Sequence, residues 1–362
     1  MDTITSILSS YPLAKYVVGL ALYVGYVRSQ RYKRIRGLEA KYPDPTLPLR
    51  NYAIAKEISS SINNFEFPYL NTVSLEFALF KTYAIPSISA LLAATKQFTT
   101  DCLKRAEDTA LLLLEINEGH GRHLGRCMRE GKVDEAEVDN DERRRVAAIE
   151  RVNFLHGQYK IKQGDYLYTL ALFILEPSTW IGQFDWRPLT LLEKNALLCV
   201  WTKQGREMGI ENIPETLEEL EAWSEAYEAE HSRYAKSNVA IAHATIDLLL
   251  SNAPKFLHPF GYKVVSCLLT DRLRVAFDLP QPPRVLTKVV HGALYLRAFF
   301  IRNFMLPRHY PHVRTAYRAN KDGGYVPQYN KWKPLYSQGY KIEELGPKKF
   351  VGKGPGCPAH EI

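Results

Sequence analysis

Apolar and polar positions recur at helical spacing along most of this chain, and the alternating pattern of strands is nearly absent. Ser87–Asn117 reads as one long helix or two abutting ones. The same spacing predicts five later helices, over residues 188–205, 216–231, 236–251, 258–277 and 284–305. Short polar or proline-bearing turns separate them. We therefore predict an all-α fold.

The most informative stretch is Arg143–Pro177, which predicts two helices joined by a tight polar turn. The first helix carries His156 on a largely apolar face. The second begins at Asp165, a favourable N-cap, and is expected to end at Pro177. Residues 129–145, which precede the first helix, are highly charged, and we expect them to form a solvated connection.

An apolar segment near the start of the chain, Tyr11–Val27, has 17 residues and predicts a short transmembrane helix. Five basic residues follow it, which places the main body on the cytosolic side by the positive-inside rule: Arg28, Arg31, Lys33, Arg34 and Arg36. A cleaved signal peptide fits less well, since the basic residues come after the apolar core and no cleavage site follows. An interfacial helix and a soluble core helix are the alternatives.

These features divide the chain into four parts. Residues 1–37 are the predicted membrane anchor with its basic flank, and residues 38–69, with Pro43, Pro45 and Pro48, are a predicted linker. Residues 70–306 form a single large helical domain. Residues 307–362 have no helical period and predict an extended tail lying on that domain. The stretch 294–307 is amphipathic, aromatic and basic, so it suits either a core helix or one lying on a membrane.

Composition narrows the class of protein. The 362 residues are 46% hydrophobic and carry a net charge of +8, which suits a globular protein with a sizeable core. No nucleic-acid-binding motif accompanies the basic residues, so we assign them to a membrane surface rather than to nucleic acid. The five cysteines are scattered and odd in number, which favours free thiols in a reducing compartment.

Two groups of polar residues are candidates for chemistry. A histidine such as His156 in an apolar pocket can hold a metal or a haem iron, although most such residues are hydrogen-bonded core histidines. Arg105, Asp108 and Thr109 share one face of a predicted helix. They form either a polar patch in a buried pocket or, more commonly, a solvated Arg–Asp pair.

Other constellations are weaker. Glu228-x-x-His231 is half of a helical di-iron pattern, but the chain has no second copy. His120, His123 and Cys127 lack a matching fourth zinc ligand and suit a polar helix end better.

The remaining histidine and cysteine candidates lie near the C-terminus. His309 and His312 lie in the proline-rich tail and are expected at the surface. Cys357 follows a glycine-rich loop whose spacing is wrong for a thiolate haem ligand. The hydrolase, zincin, Rossmann and P-loop motifs are absent from the sequence.

Three motifs together resemble a known family. R-x-x-D-T at 105–109, R-V-N-F-L-H at 151–156 and G-D-x-L-Y-T-L-x-L-F at 164–173 are similar to the mpaB-type oxygenases of fungi, which are related to the bacterial latex-clearing (rubber) oxygenases. The likeness continues through Trp180–Arg187, residues 196–216 and Asn238–Leu250, and covers about 70–305. It implies a helical haem-binding domain behind a single-pass anchor in the endoplasmic reticulum membrane, with the domain in the cytosol.

The resemblance also implies residue roles. His156 matches the proximal ligand of haem b iron. Asp108 stands where the rubber oxygenases carry a lysine, a departure that leaves a carboxylate for proton transfer or water binding. Arg105 would pair with Asp108 or a haem propionate, Thr109 would donate a hydrogen bond nearby, and Arg151 would pair with a propionate.

The function that these roles imply is a membrane-anchored, haem-dependent oxygenase. It would use O₂ to cleave a carbon–carbon double bond in an apolar isoprenoid or meroterpenoid substrate of secondary metabolism. The alternative is a non-catalytic, membrane-tethered helical protein that binds lipid or a partner enzyme. Both readings leave the oligomeric state open.

Overall fold

A computed structural model describes residues 14–132 and 134–356 of the chain. Over these residues it contains sixteen α-helices and no β-sheet, and the only strand-like pairing is an antiparallel bridge between Tyr325 and Tyr340. The prediction of an all-α fold is therefore confirmed for this part of the chain. The first three residues of the predicted transmembrane segment, Tyr11–Leu13, lie outside the described residues, as do the residues before them and Cys357.

The first eight helices span the N-terminal third of the chain. They are α1 (Ala14–Lys41), α2 (Leu47–Arg50), α3 (Tyr52–Ser60), α4 (Pro68–Thr82), α5 (Pro86–Ala94), α6 (Gln97–Thr100), α7 (Cys102–Asn117) and α8 (Gly119–Glu130). A π-helical turn, Ser61–Glu66, continues α3.

The other eight helices carry the fold to residue 304. They are α9 (Glu135–Gly157), α10 (Gln163–Phe184), α11 (Leu191–Glu207), α12 (Leu217–His231), α13 (Lys236–Leu249), α14 (His258–Ser266), α15 (Asp271–Ala276) and α16 (Arg284–Phe304). Three short 3₁₀ turns lie at Lys255–Leu257, Ile342–Glu344 and Lys348–Phe350.

Helix α10 is the centre of the molecule, with α4, α11 and α12 packed around it. It does not end at Pro177 as predicted, but runs through this residue to Phe184. Beyond Pro177, Trp180, Ile181 and Phe184 keep the helical spacing and are buried. Their burial offsets the roughly 3 kcal/mol that an internal proline costs a helix.

Capping side chains fix the ends of several helices. Thr190 with Glu193 and Thr216 with Glu219 form reciprocal capping boxes at the starts of α11 and α12, as their Thr-x-x-Glu sequences favour. The segment predicted as one or two helices over Ser87–Asn117 is divided into α5, α6 and α7. The segment predicted over 258–277 is divided into α14 and α15, where the hydroxyl of Thr270 accepts from the backbone N–H of Leu273.

The structure differs from the prediction over residues 38–69, which were expected to form a linker. From Leu47 onward it is mostly helical, and α3 with its π turn contributes Ala55, Ile58 and Ile62 to the core without any solvent exposure. Of the prolines that suggested a linker, Pro43 and Pro45 precede α2. Pro48 lies in the N-terminal turn of α2, where proline is tolerated.

The structure also differs from the prediction over residues 129–145, which were expected to form a solvated connection. Helix α9 begins at Glu135, inside this stretch, and the charged residues Asp141, Arg144 and Arg145 are buried. They are buried because each has a partner: Asp141 accepts from Arg122, and Arg144 forms a two-pronged ion pair with Glu115. A charged run was therefore a poor guide to exposure here.

The C-terminal segment, residues 307–356, contains no α-helix and lies across α7, α8 and α9. It is anchored by buried polar contacts. The carboxylate of Glu118 accepts hydrogen bonds from the backbone N–H groups of Arg314 and Thr315 at 2.8–3.1 Å, and Arg144 donates to the carbonyl of Ala316 at 2.7 Å.

Helix α1 has two different halves. Its first half, through Tyr26, is almost entirely exposed, whereas Val27, Arg31, Ile35 and Leu38 pack on the body at helical spacing. Among the described residues, no single helix has the length and hydropathy of a membrane span. The bent pair α4–α5, which turns through 92°, meets that standard by length and composition only.

Candidate functional site

His156 lies in the last turn of α9 and faces the start of α10. Its ring is 5.6 Å from the ring of Tyr166, measured between centroids. The ring is partly buried, and its Nδ1 atom is shielded from solvent without a hydrogen-bond partner. A buried ring nitrogen without a partner is unusual in a folded protein, and His156 shares this feature with His120, His123 and His243 among the described residues.

The environment keeps this imidazole neutral. Burial lowers the pKa of His156 from its usual 6.5 to about 4, and the positive charge of Arg105 adds to the effect. A helix C-terminus on its own would favour the charged ring. Here desolvation is the larger effect, so at neutral pH the ring carries a lone pair that can be donated to a metal.

Helix α7 brings Arg105 and Thr109 toward His156. The guanidinium of Arg105 bonds the hydroxyl of Thr109, one turn later, and that hydroxyl also donates to the carbonyl of Arg105 at 2.8 Å. The predicted shared face of these two residues is therefore present. Helices α7 and α9 pack against each other, and the charge of Arg105 on α7 acts on His156 of α9 across that contact.

Three helices meet at this point with partly accessible faces. On α7, the face of Arg105, Thr109 and Leu113 is partly exposed, whereas the face of Leu111 and Glu115 is fully buried. The same partial exposure is found on neighbouring residues of the other two helices: Val152, Asn153 and His156 on α9, and Tyr166 and Thr169 on α10. His156 is itself partly exposed, contacts Tyr166 of α10 and feels the charge of Arg105 on α7, so it does not lie inside a filled core.

The structure gives Asp108 partners that the sequence did not predict. Its carboxylate does not pair with Arg105. It accepts from Lys104 at 2.5 Å, from the hydroxyl of Tyr336 and from the backbone N–H of Gly346 at 3.0 Å. The reason is geometric, since Lys104 is one turn before Asp108 and on the same side of α7. Asp108 is thus a buried link between α7 and the C-terminal segment.

Arg151 also differs from its prediction. Its guanidinium nitrogens donate to three carbonyls of the C-terminal segment, those of Leu345 at 2.7 Å, Lys353 at 2.5 Å and Phe350 at 3.0 Å. The side chain is 1% exposed. Arg151 therefore binds backbone carbonyls where a haem propionate was expected, and Arg105 is the arginine whose charge acts on His156.

Comparison with known proteins now identifies the family. The chain is 32% identical over 389 aligned positions to the ER-bound oxygenase mpaB′ of Penicillium brevicompactum, covering 91% of this chain and 88% of the relative. It is 33% identical to the ER-bound oxygenase mpaB of Penicillium roqueforti, covering 72% of this chain and 89% of that protein. The chain belongs to the mpaB family of ER-bound oxygenases. No protein-family model matches it.

In this mpaB-family chain, the geometry around Glu228 and His231 does not favour the di-iron alternative. The carboxylate of Glu228 accepts from Tyr168 at 2.8 Å and pairs with Lys81 and Arg272, each at 3.1 Å. His231 stacks on Tyr227 with 4.1 Å between ring centroids. Glu228 is therefore the hub of a buried ion-pair cluster.

The zinc alternative is no better supported in this mpaB-family chain. His123 Nε2 is 3.6 Å from the sulfur of Cys127, and the rings of His120 and His123 are 6.2 Å apart. Over residues 14–132 and 134–356, no three His, Cys, Asp or Glu side chains are grouped closely enough to hold a metal ion. His312, at the surface as expected, bonds the hydroxyl of Tyr329 at 2.8 Å.

The partners of Asp108 and Arg151 were missed by the sequence analysis. Tyr336 and Gly346 are more than 200 residues away from Asp108 along the chain, and no local pattern links them. For Gly346 the only sign in the sequence is the glycine itself. The structure explains why a glycine is needed there: its φ is +112°, and a Cβ would lie 2.7 Å from the side chain of Leu155.

Proposed function

We propose that this protein is a haem-dependent oxygenase that cleaves a carbon–carbon double bond in an apolar substrate, with His156 as the ligand of the iron. The substrate class is an isoprenoid or meroterpenoid that partitions into the membrane. The observation that carries the proposal is the neutral imidazole of His156, whose Nδ1 atom is shielded from solvent without a hydrogen-bond partner and whose ring lies near Tyr166 of α10. The oxygenase names of the relatives support the reaction class.

The residues present suit haem b. A neutral imidazole is the usual proximal donor to haem iron, and the lowered pKa of His156 keeps it available to below pH 5. Arg105 supplies a cation for a propionate on the same surface. Bound haem would supply the activation of O₂, which no amino-acid side chain provides.

The protein's own residues would then bind and orient. Thr109 holds the guanidinium of Arg105 from one turn away, so Arg105 would meet a propionate in a fixed geometry. Tyr166, Thr169 and Leu113 would line the pocket and exclude water from the reacting carbons. Asp108 would act indirectly, by holding the C-terminal segment against α7.

The membrane part of the proposal rests on α1. Its exposed apolar first half would enter the endoplasmic reticulum membrane as a single-pass anchor, and the basic residues after it would keep the body in the cytosol. The ER-bound names of the relatives support this location. An enzyme held at the membrane meets apolar substrates where they are concentrated.

The test is an absorption spectrum of the full chain, purified in detergent after expression with a haem precursor. We expect a Soret band that shifts on reduction with dithionite. The His156→Ala variant should lose the band, because the iron then has no imidazole ligand. Its folding is checked by circular dichroism.

The matched control is His231→Ala, which removes a histidine that stacks on Tyr227 at a helix end. We expect this variant to keep the Soret band. A colourless wild-type protein would favour the non-catalytic, lipid- or partner-binding alternative. Iron without a porphyrin spectrum, lost on changing His231, would favour di-iron chemistry.

A further inference from the structure

Helix α16 exposes a row of large apolar residues on its outer side. Its exposed large residues extend over about four turns: Val285, Val289, Tyr295, Leu296, Phe299 and Phe300. Leu296 is 67% exposed and Val285 is 74% exposed. The inward side packs Leu294 and Ile301 on the core and also carries polar contacts, with His291 near the carbonyl of Cys267 and Arg297 paired with Asp185. An apolar stripe of this length on a surface marks an interaction site.

This stripe is continuous with the apolar half of α1. The two helices pack against each other, and hydrogen bonds join their ends. Tyr23 donates to the carbonyl of Phe304 at 2.9 Å, and Arg31 donates to the carbonyl of Met305 at 2.7 Å. The direction in which α1 leaves the body is therefore fixed relative to the stripe. Helix α14, which also contacts α16, adds the exposed ring of Phe260, and the 3₁₀ turn before α14 adds that of Phe256.

The charge of these elements is entirely positive. No aspartate or glutamate occurs in residues 14–38, 248–270 or 279–321, which contain α1 through Leu38, all of α14 and all of α16. Exposed basic residues accompany the apolar ones, among them Arg28, Lys263, Arg284 and Lys288. An apolar stripe flanked by lysine and arginine is the pattern of a helix that lies in the interface of an anionic bilayer.

We propose that α16 lies in the cytosolic interface of the membrane, with its apolar stripe buried among the lipids and α14 beside it. This inference rests on the membrane association in the proposed function and extends it, since it fixes which side of the enzyme faces the lipid. The protein would then bind the membrane through a broad surface, and not through α1 alone. Docking of this kind sets the path by which a membrane-dissolved substrate reaches the helices around His156.

A bilayer suits this surface better than a second copy of the chain. Two copies meeting through it would bring two wholly basic surfaces together, and the like charges would repel. The anionic cytosolic leaflet attracts each lysine or arginine near it by about 1 kcal/mol. The continuity with α1, the segment proposed to enter the membrane, points to the same partner.

The experiment uses the full wild-type chain in phosphatidylcholine vesicles with about 20% phosphatidylserine, an anionic fraction of the kind that attracts basic surfaces. The vesicles carry a tracer phospholipid with a photoreactive group on its acyl chain. After illumination, lipid adducts are mapped by peptide mass spectrometry. We expect adducts on peptides from α16 and from residues 255–263, in addition to α1. Peptides from α12, on another part of the molecule, should carry none.

A double variant, Leu296→Glu with Phe299→Glu, should reduce the α16 adducts to the level of the α12 peptides. The control pair, Met128→Glu with Val138→Glu, introduces the same charge at exposed apolar residues on α8 and α9 and should leave the α16 adducts unchanged.

Each other result has a distinct meaning. Adducts on α1 but not on α16 of the wild-type chain overturn this inference and leave the anchor intact. Adducts on neither helix overturn the membrane association itself. Cross-links between α16 helices of two copies, without lipid adducts, assign the stripe to a dimer and also overturn the inference.

Discussion

At the scale of single residues, burial decides the charge state of the groups around the candidate site. Burial raises the pKa of Glu107 and Glu118, and their arginine, hydroxyl and backbone partners oppose that rise. Two of the four described histidines with a buried, unpartnered ring nitrogen, His120 and His156, respond in the opposite direction and stay neutral, each with a pKa lowered to about 4. Desolvation is the largest cause in all four cases.

The first prediction follows from His120. Its folded-state pKa of about 4 lies below the usual 6.5, so the unfolded chain binds a proton first as the pH falls. The free energy of unfolding should therefore decrease between pH 6.5 and pH 4, with His120 contributing about 1–2 kcal/mol of the loss between pH 7 and pH 5. His120→Leu should reduce that loss, as measured by urea denaturation at the two pH values.

The control for this prediction is His309→Leu, which changes an exposed histidine in the C-terminal segment. This variant should keep the pH dependence of the wild-type chain. If His120→Leu and His309→Leu show the same slope of stability against pH, burial does not hold the His120 ring neutral.

Residue by residue, the sequence predicted what is local and missed what is distant. The face shared by Arg105 and Thr109 depends only on helical spacing, and the structure has it. Asp108 and Arg151 depend on partners in the C-terminal segment, about 190 to 240 residues later. Helical periodicity carries no information about such pairs, so a carboxylate one turn from an arginine was given the wrong partner.

At the scale of elements, α8 shows how a helix accepts close neighbours. Gly121 and Gly125 are one turn apart and face Asn64 of the π turn and Tyr317 of the C-terminal segment. A Cβ at Gly121 would lie 2.6 Å from the side-chain oxygen of Asn64, and one at Gly125 would lie 2.5 Å from the hydroxyl of Tyr317. These glycines therefore serve close packing, and not a turn at the helix end.

The second prediction concerns Gly125→Ala. The new methyl group would overlap the Tyr317 ring, so the C-terminal segment must shift, at a cost of about 1–3 kcal/mol in the free energy of unfolding. Gly119→Ala is the matched control on the same helix, because its Cβ would be an ordinary 3.6 Å from Asp141. It should be neutral or stabilising by up to about 1 kcal/mol. Equal midpoints of the two variants in guanidinium chloride would contradict this account.

The elements themselves were largely predictable where caps and apolar periodicity agree. The starts of α11 and α12 follow from their Thr-x-x-Glu capping boxes. Prediction failed where tertiary contacts override local preference: α10 continues through the buried Pro177, and α9 begins inside a charged run whose members are paired. In each case a contact from elsewhere in the chain supplies the stabilisation that local sequence lacks.

At the scale of the whole molecule, buried carboxylates hold the C-terminal segment against the helices. The Glu115 carboxylate binds Arg144 and the hydroxyl of Tyr340, and the Glu118 carboxylate binds the backbone of Arg314 and Thr315. These carboxylates belong to α7 and to its junction with α8, the helices next to the His156 surface. The segment is thus a structural part of the domain, and its loss would leave several buried ions without partners.

The last prediction compares two arginines four residues apart on this segment. Arg314 is buried and pairs with Glu107, which is buried as well, whereas Arg318 is half exposed and pairs with Glu130 and Glu137 at the surface. Arg314→Ala should lower the free energy of unfolding by about 3–5 kcal/mol, since it leaves the Glu107 carboxylate unpaired. Arg318→Ala should lower it by about 1 kcal/mol or less. Adding Glu107→Gln to Arg314→Ala should recover part of the loss in urea denaturation, because it removes the stranded charge; no recovery would mean that Arg314 acts through packing and not through its charge.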